Sequence, residues 1–154
     1  MGAAYFYHLT RSPLEATLPM LIGKALGAGW RVAVRGVDAA RLDWLDEKLW
    51  LGEGFLPHGR AGGTYDADQP VLLTTASEAP NGAACLMAID GAGVTAEEVA
   101  ALERVCILFD GNDDTAVEAA RGQWRALTGA GAAAQYWSQE GGAWAKKAEA
   151  GGGN

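Results

Sequence analysis

Two hydrophobic periods alternate along this chain. Short apolar or aromatic runs are followed, after a capping residue or a glycine, by longer runs in which apolar residues recur every three or four positions. Ala4 to Leu9 is an aromatic-rich strand run. Ser12-Pro13-Leu14-Glu15 then reads as a helix start, with Ser12 as N-cap and Glu15 three residues beyond it. Leu14, Leu18, Leu21, Ile22, Ala25 and Leu26 form one apolar stripe, which Pro19 is expected to kink or to shorten at its start and which Gly27 and Gly29 end. Arg31 to Arg35 reads as a second strand, and Asp38 as the cap of a helix whose Leu42, Leu45 and Leu49 share a face. Val71 to Thr75 and Ala84 to Asp90 are compact apolar runs separated by the turn residues Pro80-Asn81-Gly82. Thr95, Glu97 and Glu98 open a short helix, and Val105 to Phe109 is the most apolar strand. Asp113 starts a helix reaching about Thr128, and a strand over about Ala133 to Ser138 closes the domain. Strands alternating with helices need a sheet covered on both faces. The pattern predicts one three-layer α/β/α domain, Rossmann-like, with a mostly parallel or mixed sheet; the Val71 and Ala84 runs are left open as an antiparallel hairpin.

A length of 154 residues suits one core, expected over 1–147, with Ala148 to Asn154 as a flexible Gly-rich tail. The net charge of −7 lacks the clustered cations that nucleic acids require, so no direct DNA binding is expected. Tyr136, Trp137 and Trp144 would need a basic groove beside them to stack on single strands; Lys146 and Lys147 alone do not make one, and the aromatics are assigned to the core. No apolar run reaches the ~20 residues of a membrane span, and MGAAYFYHLT has no basic-then-apolar leader. The expected location is cytoplasmic, with no membrane partner. Cys85 and Cys106 lie in strand-like runs and read as small buried hydrophobes.

No phosphate loop, G-x-S-x-G elbow or H-E-x-x-H pair is present. Asp110-Gly111-Asn112-Asp113-Asp114 breaks the calcium-loop pattern at Thr115 and Arg121, and its carboxylates read as caps of the next helix. No metal, cofactor or catalytic residue is assigned. One alternative remains, a small nucleotide-binding or hydrolytic domain using the strand-end cleft with Asp110, Asn112 and His58 as its polar groups.

Two stretches carry binding chemistry. On the helix after Asp113, Ala116, Ala120, Trp124 and Leu127 fall on one face, and Val117, Arg121 and Arg125 form an adjoining stripe. Apolar surface beside arginine suits a peptide ending in hydrophobic side chains and a carboxylate; solvated arginines balancing the acidic helix start are the other reading. The stretch Leu45 to Gly62 places Trp50, Phe55 and Leu56 around a glycine-rich loop, where they must fold back on the domain or face a partner.

Taken together, FYHLT at Phe6–Thr10, LDEKLW at Leu45–Trp50, FLPHGRAG at Phe55–Gly62, QPVLLTT at Gln69–Thr75, FDGNDD at Phe109–Asp114 and AARGQWRALTGAG ending at Gly131 resemble the chi subunit of bacterial DNA polymerase III holoenzyme, in its alphaproteobacterial form. The resemblance implies a non-catalytic accessory subunit of the clamp-loader assembly. It further implies a bridge, through a psi subunit or an equivalent, to the acidic C-terminal tail of single-stranded-DNA-binding protein, and a face able to engage a helicase-like repair protein. By the same resemblance Arg121, with the neighbourhood of Phe109, would hold the tail, and Trp50 with Phe55 would face the loader or helicase. The family pattern places a lysine one turn before the arginine, where this chain has Val117.

Overall fold

The computed structural model describes residues 2–51, 57–140 and 143–151. In chain order they form β1 (Ala3–Leu9), α1 (Leu14–Gly27), β2 (Val32–Arg35), α2 (Ala39–Leu51) and β3 (Gly59–Arg60), then a 3₁₀ turn at Asp66–Asp68 and β4 (Val71–Thr74). β5 (Cys85–Ala88), α3 (Ala96–Ala101), β6 (Arg104–Asp110), α4 (Asp114–Gly129), β7 (Ala133–Glu140) and β8 (Ala143–Ala150) follow. The strands make one sheet in the order β3-β4-β2-β5-β6-β1-β7-β8, parallel throughout except for the antiparallel β7–β8 pair.

Alternating side chains divide the sheet into two cores. Leu18, Leu21, Ile22 and Ala25 of α1 and Leu42, Leu45 and Leu49 of α2 pack on Val32, Val34, Val71, Leu73, Met87, Cys106 and Leu108. On the other face Val99 of α3 and Ala120 and Leu127 of α4 pack on Ala4, Phe6, Leu86, Val105, Ile107 and Phe109. This is the expected three-layer arrangement. Cys85 and Cys106 are both free thiols and buried, and the hydrogen bond to Cys85 together with burial pushes the Cys106 thiol well up.

Several expectations need correction. The Val71 and Ala84 runs do not form a hairpin: β2 lies between β4 and β5 and pairs parallel with both. Both runs are buried on both faces, which suits interior parallel strands rather than an edge hairpin. Ser12 does not cap α1; Pro13 holds the N-cap position without a side-chain bond, because the Ser12 hydroxyl accepts from Gln139 Nε2 at 3.0 Å. α1 runs through Pro19. The closing strand extends to Glu140, and β8 takes in Ala148 to Ala150, which the sequence left in the tail; their alternation is masked by alanine, so only pairing with β7 reveals the strand.

Other local signals hold. Asp38 Oδ1 accepts from the Ala40 N–H at the start of α2, and Thr95 and Glu98 form a reciprocal capping box on α3. Asn81, in the Pro80-Asn81-Gly82 turn, is buried and donates to the carbonyls of Val32 and Gln69, tying the turn to the strand entry points.

Candidate functional site

The carboxyl ends of β1, β5 and β6 open onto a crevice of about 740 Å³ between the start of α1 and one flank of α4. The crevice sits where the chain leaves β1 for β2 on one side and passes from β6 to β7 on the other, the topological switch point of the sheet. Its rim carries Glu15, Asp90, Asp110 and Asp113 against Arg11 and Arg41. Arg41 is already engaged with Asp90 at 3.0 Å. The lining is therefore net acidic.

Most polar groups here serve the fold. Asp113 Oδ1 caps α4 by accepting from the N–H groups of Thr115 and Ala116, and Asp110 Oδ1 accepts from the Asn112 N–H at 2.9 Å. Asn112 Nδ2 donates to the Thr10 carbonyl, tying this turn to the end of β1. Asp110 thus acts in a helix-start turn, as its spacing predicted.

The β1–α1 loop holds a feature the sequence did not announce. The successive N–H groups of Thr10, Arg11 and Ser12 converge on one oxygen, Oε1 of Gln139, at 3.1, 2.9 and 3.1 Å. Three consecutive amides around one acceptor form a nest of the kind that binds anions. Here a buried amide from β7 fills it. Only contact across more than 120 residues could have found it.

Arg121, Val117 and Arg125 of α4 do not line the crevice, and Arg121 lies near Tyr136 of β7. Arg121 is exposed, with 60% of its side chain accessible, and pairs with Glu118 one turn earlier at 3.1 Å. Beside it is an aromatic group from three strands and α4 itself. Tyr136 stacks on Phe6 at 6.3 Å and meets Trp124 at 6.0 Å and Phe109 at 6.0 Å. The Tyr136 hydroxyl is 2.7 Å from His8 Nδ1. Burial raises the Tyr136 pKa, and the nearby Arg121 charge opposes that rise. Phe109 itself is buried under this group. His8 owes its position to Gly111: a Cβ there would stand 1.9 Å from His8 Cδ2. The arginine stripe was thus legible from helical spacing. Trp124 followed from the same spacing, but its partners His8 and Tyr136 did not, because they come from distant strands.

At the opposite sheet edge, Trp50 near the end of α2 is 51% exposed and Leu51 more so. The Trp50 ring lies 4.2 Å from that of His58, which is buried and held 2.9 Å from Asp46 Oδ1. His58 therefore anchors its loop to α2 and is not part of the crevice. The alternative that joined Asp110 and His58 in one cleft is corrected accordingly: the two sit on different parts of the sheet. Phe55 and Leu56 lie outside the described residues. Among the described residues no cluster of three or more His, Cys, Asp or Glu side chains is placed to hold a metal ion, and no helix is long and apolar enough to cross a membrane.

These features define a class, the three-layer open-sheet α/β domain with a crevice at its switch point and an arginine-bearing helix flank beside an aromatic wall. The chain belongs to the family described as DNA polymerase III chi subunit, HolC, which it matches over residues 1–135. That membership makes it an accessory subunit of DNA polymerase III, a protein of DNA replication. The match ends inside β7, leaving the remainder of that strand and all of β8 beyond it. No curated protein matches the chain.

Proposed function

We propose that the protein is a non-catalytic, cytoplasmic adaptor that links the clamp-loader assembly to the acidic C-terminal tail of single-stranded-DNA-binding protein. The observation that carries this reading is an exposed guanidinium, Arg121, beside the aromatic wall of Tyr136 and Trp124. A carboxylate can replace Glu118 as partner of Arg121, forming charge-assisted hydrogen bonds, while an apolar terminal side chain lies along Val117 and the Tyr136 ring. Arg125, one turn on, is exposed and meets the acidic residues upstream of the terminus. Phe109 supports the wall from beneath. The lysine that the family pattern places at Val117 is absent, so selectivity rests on the two arginines.

The second face centres on Trp50, with Phe55 and Leu56 following it in sequence. Half-exposed tryptophan at a helix end is a common anchor in protein interfaces. This face would receive psi or an equivalent loader component, or a helicase-like repair protein.

The crevice supports a nucleotide-binding or hydrolytic reading less well. Its rim is net acidic, and the loop nest after β1, where a phosphate would sit in an open α/β sheet, is filled by Gln139. Titration with a peptide carrying an acidic run and an apolar C-terminal residue tests the adaptor reading. Arg121→Ala should weaken binding about tenfold, the loss of one charge-assisted contact, and amidating the peptide terminus should do the same. Unchanged affinity in both experiments overturns the site. Trp50→Ala should leave that affinity intact while losing a loader or helicase partner in a pulldown.

A further inference from the structure

We propose that the sheet face formed by β1, β7 and β8 on the α1 side is a stacking platform for single-stranded nucleic acid. The helices of this layer make their principal sheet contacts with β2, β3, β4 and β6; on β1 Leu9 joins the core beneath them, and Tyr7 and Trp144 pack at its edge. Register sets those side chains. Tyr5 and Tyr7 of β1 point to the face of Cys106, Trp137 of β7 lies opposite Lys146 of β8, and Gln139 lies opposite Trp144. Tyr7 meets Trp144 edge-on at 5.4 Å, and Tyr5, Tyr7, Trp137 and Trp144 are all half-buried rather than sealed.

Beside them, between α1 and β1, runs a groove of about 240 Å³ walled by Tyr7, Trp30, Lys24 and Arg104 over a floor of Met87, Cys85 and Cys106. It is smaller than the ~300–1,000 Å³ of ordinary small-molecule sites and suits one planar base rather than a whole cofactor. Its lining holds two cations and no carboxylate, the reverse of the acidic switch-point crevice. The Arg104 guanidinium lies 3.9 Å over the Tyr5 ring and 5.5 Å from the Trp30 ring, and its buried Nε has no hydrogen-bond partner. A guanidinium close to aromatic rings is one of the surfaces beside which a base can stack. Lys146, opposite Trp137, shares this face, with its charge met by Glu149 at 3.5 Å.

The chain's net charge of −7 conceals this segregation. Along the chain only Lys146 and Lys147 adjoin these aromatics; folding adds Lys24 from α1 and Arg104 from β6. Aromatic faces with flanking cations are what sequence-tolerant single-strand binding uses, since every base offers a π-face. Charge complementarity thus selects a polyanion, and the half-exposed ring faces select bases over an acidic peptide. Trp137, Trp144 and Lys146 lie beyond the residues matched to the family, so the platform is completed by this chain's own C-terminal hairpin.

The test titrates the full chain with an oligothymidylate of about 15 nucleotides at low salt, reading tryptophan fluorescence. Quenching is expected, and neutralising three phosphates predicts a log–log salt slope of about −2. Lys24→Glu combined with Lys146→Glu, both exposed positions, should lower affinity at least about tenfold. Trp144→Leu should reduce both quenching and affinity, and Arg121→Ala, on the other sheet face, should change neither. The proposal is overturned if single strands leave the fluorescence unchanged or if the double charge reversal binds as wild type. Equal binding of duplex also overturns it, as does an acidic peptide that displaces the oligothymidylate from Arg121→Ala protein, or a dimer that hides this face in sedimentation.

Discussion

Gly111→Ala is the substitution that most directly interrogates the wall beside Arg121. The ideal Cβ at this position would lie 1.9 Å from Cδ2 and 2.2 Å from Nε2 of His8, and 2.8 Å from Cγ2 of Thr10. Backbone movement is resisted because the Gly111 N–H donates to the Leu9 carbonyl at 2.6 Å and Asn112 is tied to Thr10. The imidazole must therefore leave its place between Phe109 and Tyr136, breaking the 2.7 Å contact between His8 Nδ1 and the Tyr136 hydroxyl. Overpacking costs about 1–3 kcal/mol, and the lost hydrogen bond adds about 0.5–1.5 kcal/mol. Restricting the unfolded chain returns about 0.4–1 kcal/mol, so the net destabilisation is about 2 kcal/mol. Urea unfolding of wild type, Gly111→Ala, His8→Ala and the double variant reads this directly. With the imidazole removed the two closest contacts are gone and only the 2.8 Å approach to Thr10 Cγ2 remains of those three, so most of the Gly111→Ala cost should vanish in the His8→Ala background. Equal costs in the two backgrounds, or a neutral single substitution, would refute the steric account.

Three other expectations follow from the same geometry. Arg35 is nearly buried and forks onto both carboxylate oxygens of Glu98 while donating to the carbonyls of Ser77 and Gly93; Glu98→Gln should therefore destabilise by about 3 kcal/mol, measured by chemical denaturation. Because the Arg35 hydrogen bond, ahead of opposing burial, lowers the Glu98 pKa, the pair's contribution is complete above the ordinary carboxylate pKa of about 4.3 and is lost as pH falls through the lower folded value. An acid titration should accordingly be shallower in Glu98→Gln than in wild type. Gln139→Leu strands the three N–H groups of the β1–α1 loop and should cost about 2 kcal/mol or more, whereas Gln139→Glu keeps the acceptor and should remain near wild-type stability at neutral pH, both read from denaturation midpoints.

What the sequence determined by itself is whatever local chemistry decides. Asp38, Thr95 and Asp113 cap the helices their spacing assigned to them, and the wholly apolar Val105–Phe109 run became an interior strand, because capping and periodicity act within one or two turns of chain. The arginine stripe of α4 was visible for the same reason. Ser12 shows the limit: its local signal for a cap lost to Gln139, more than 120 residues away, whose amide satisfies three backbone donors at once. β8 escaped notice because an alanine-rich strand carries little alternation, and it forms by pairing with β7. The His8–Tyr136 wall, the plugged nest and the meeting of Lys24 and Arg104 with the aromatic face all depend on strand order, with β1 set between β6 and β7. Sheet order is fixed by which apolar faces bury together across the whole chain, and no window of neighbouring residues contains that information.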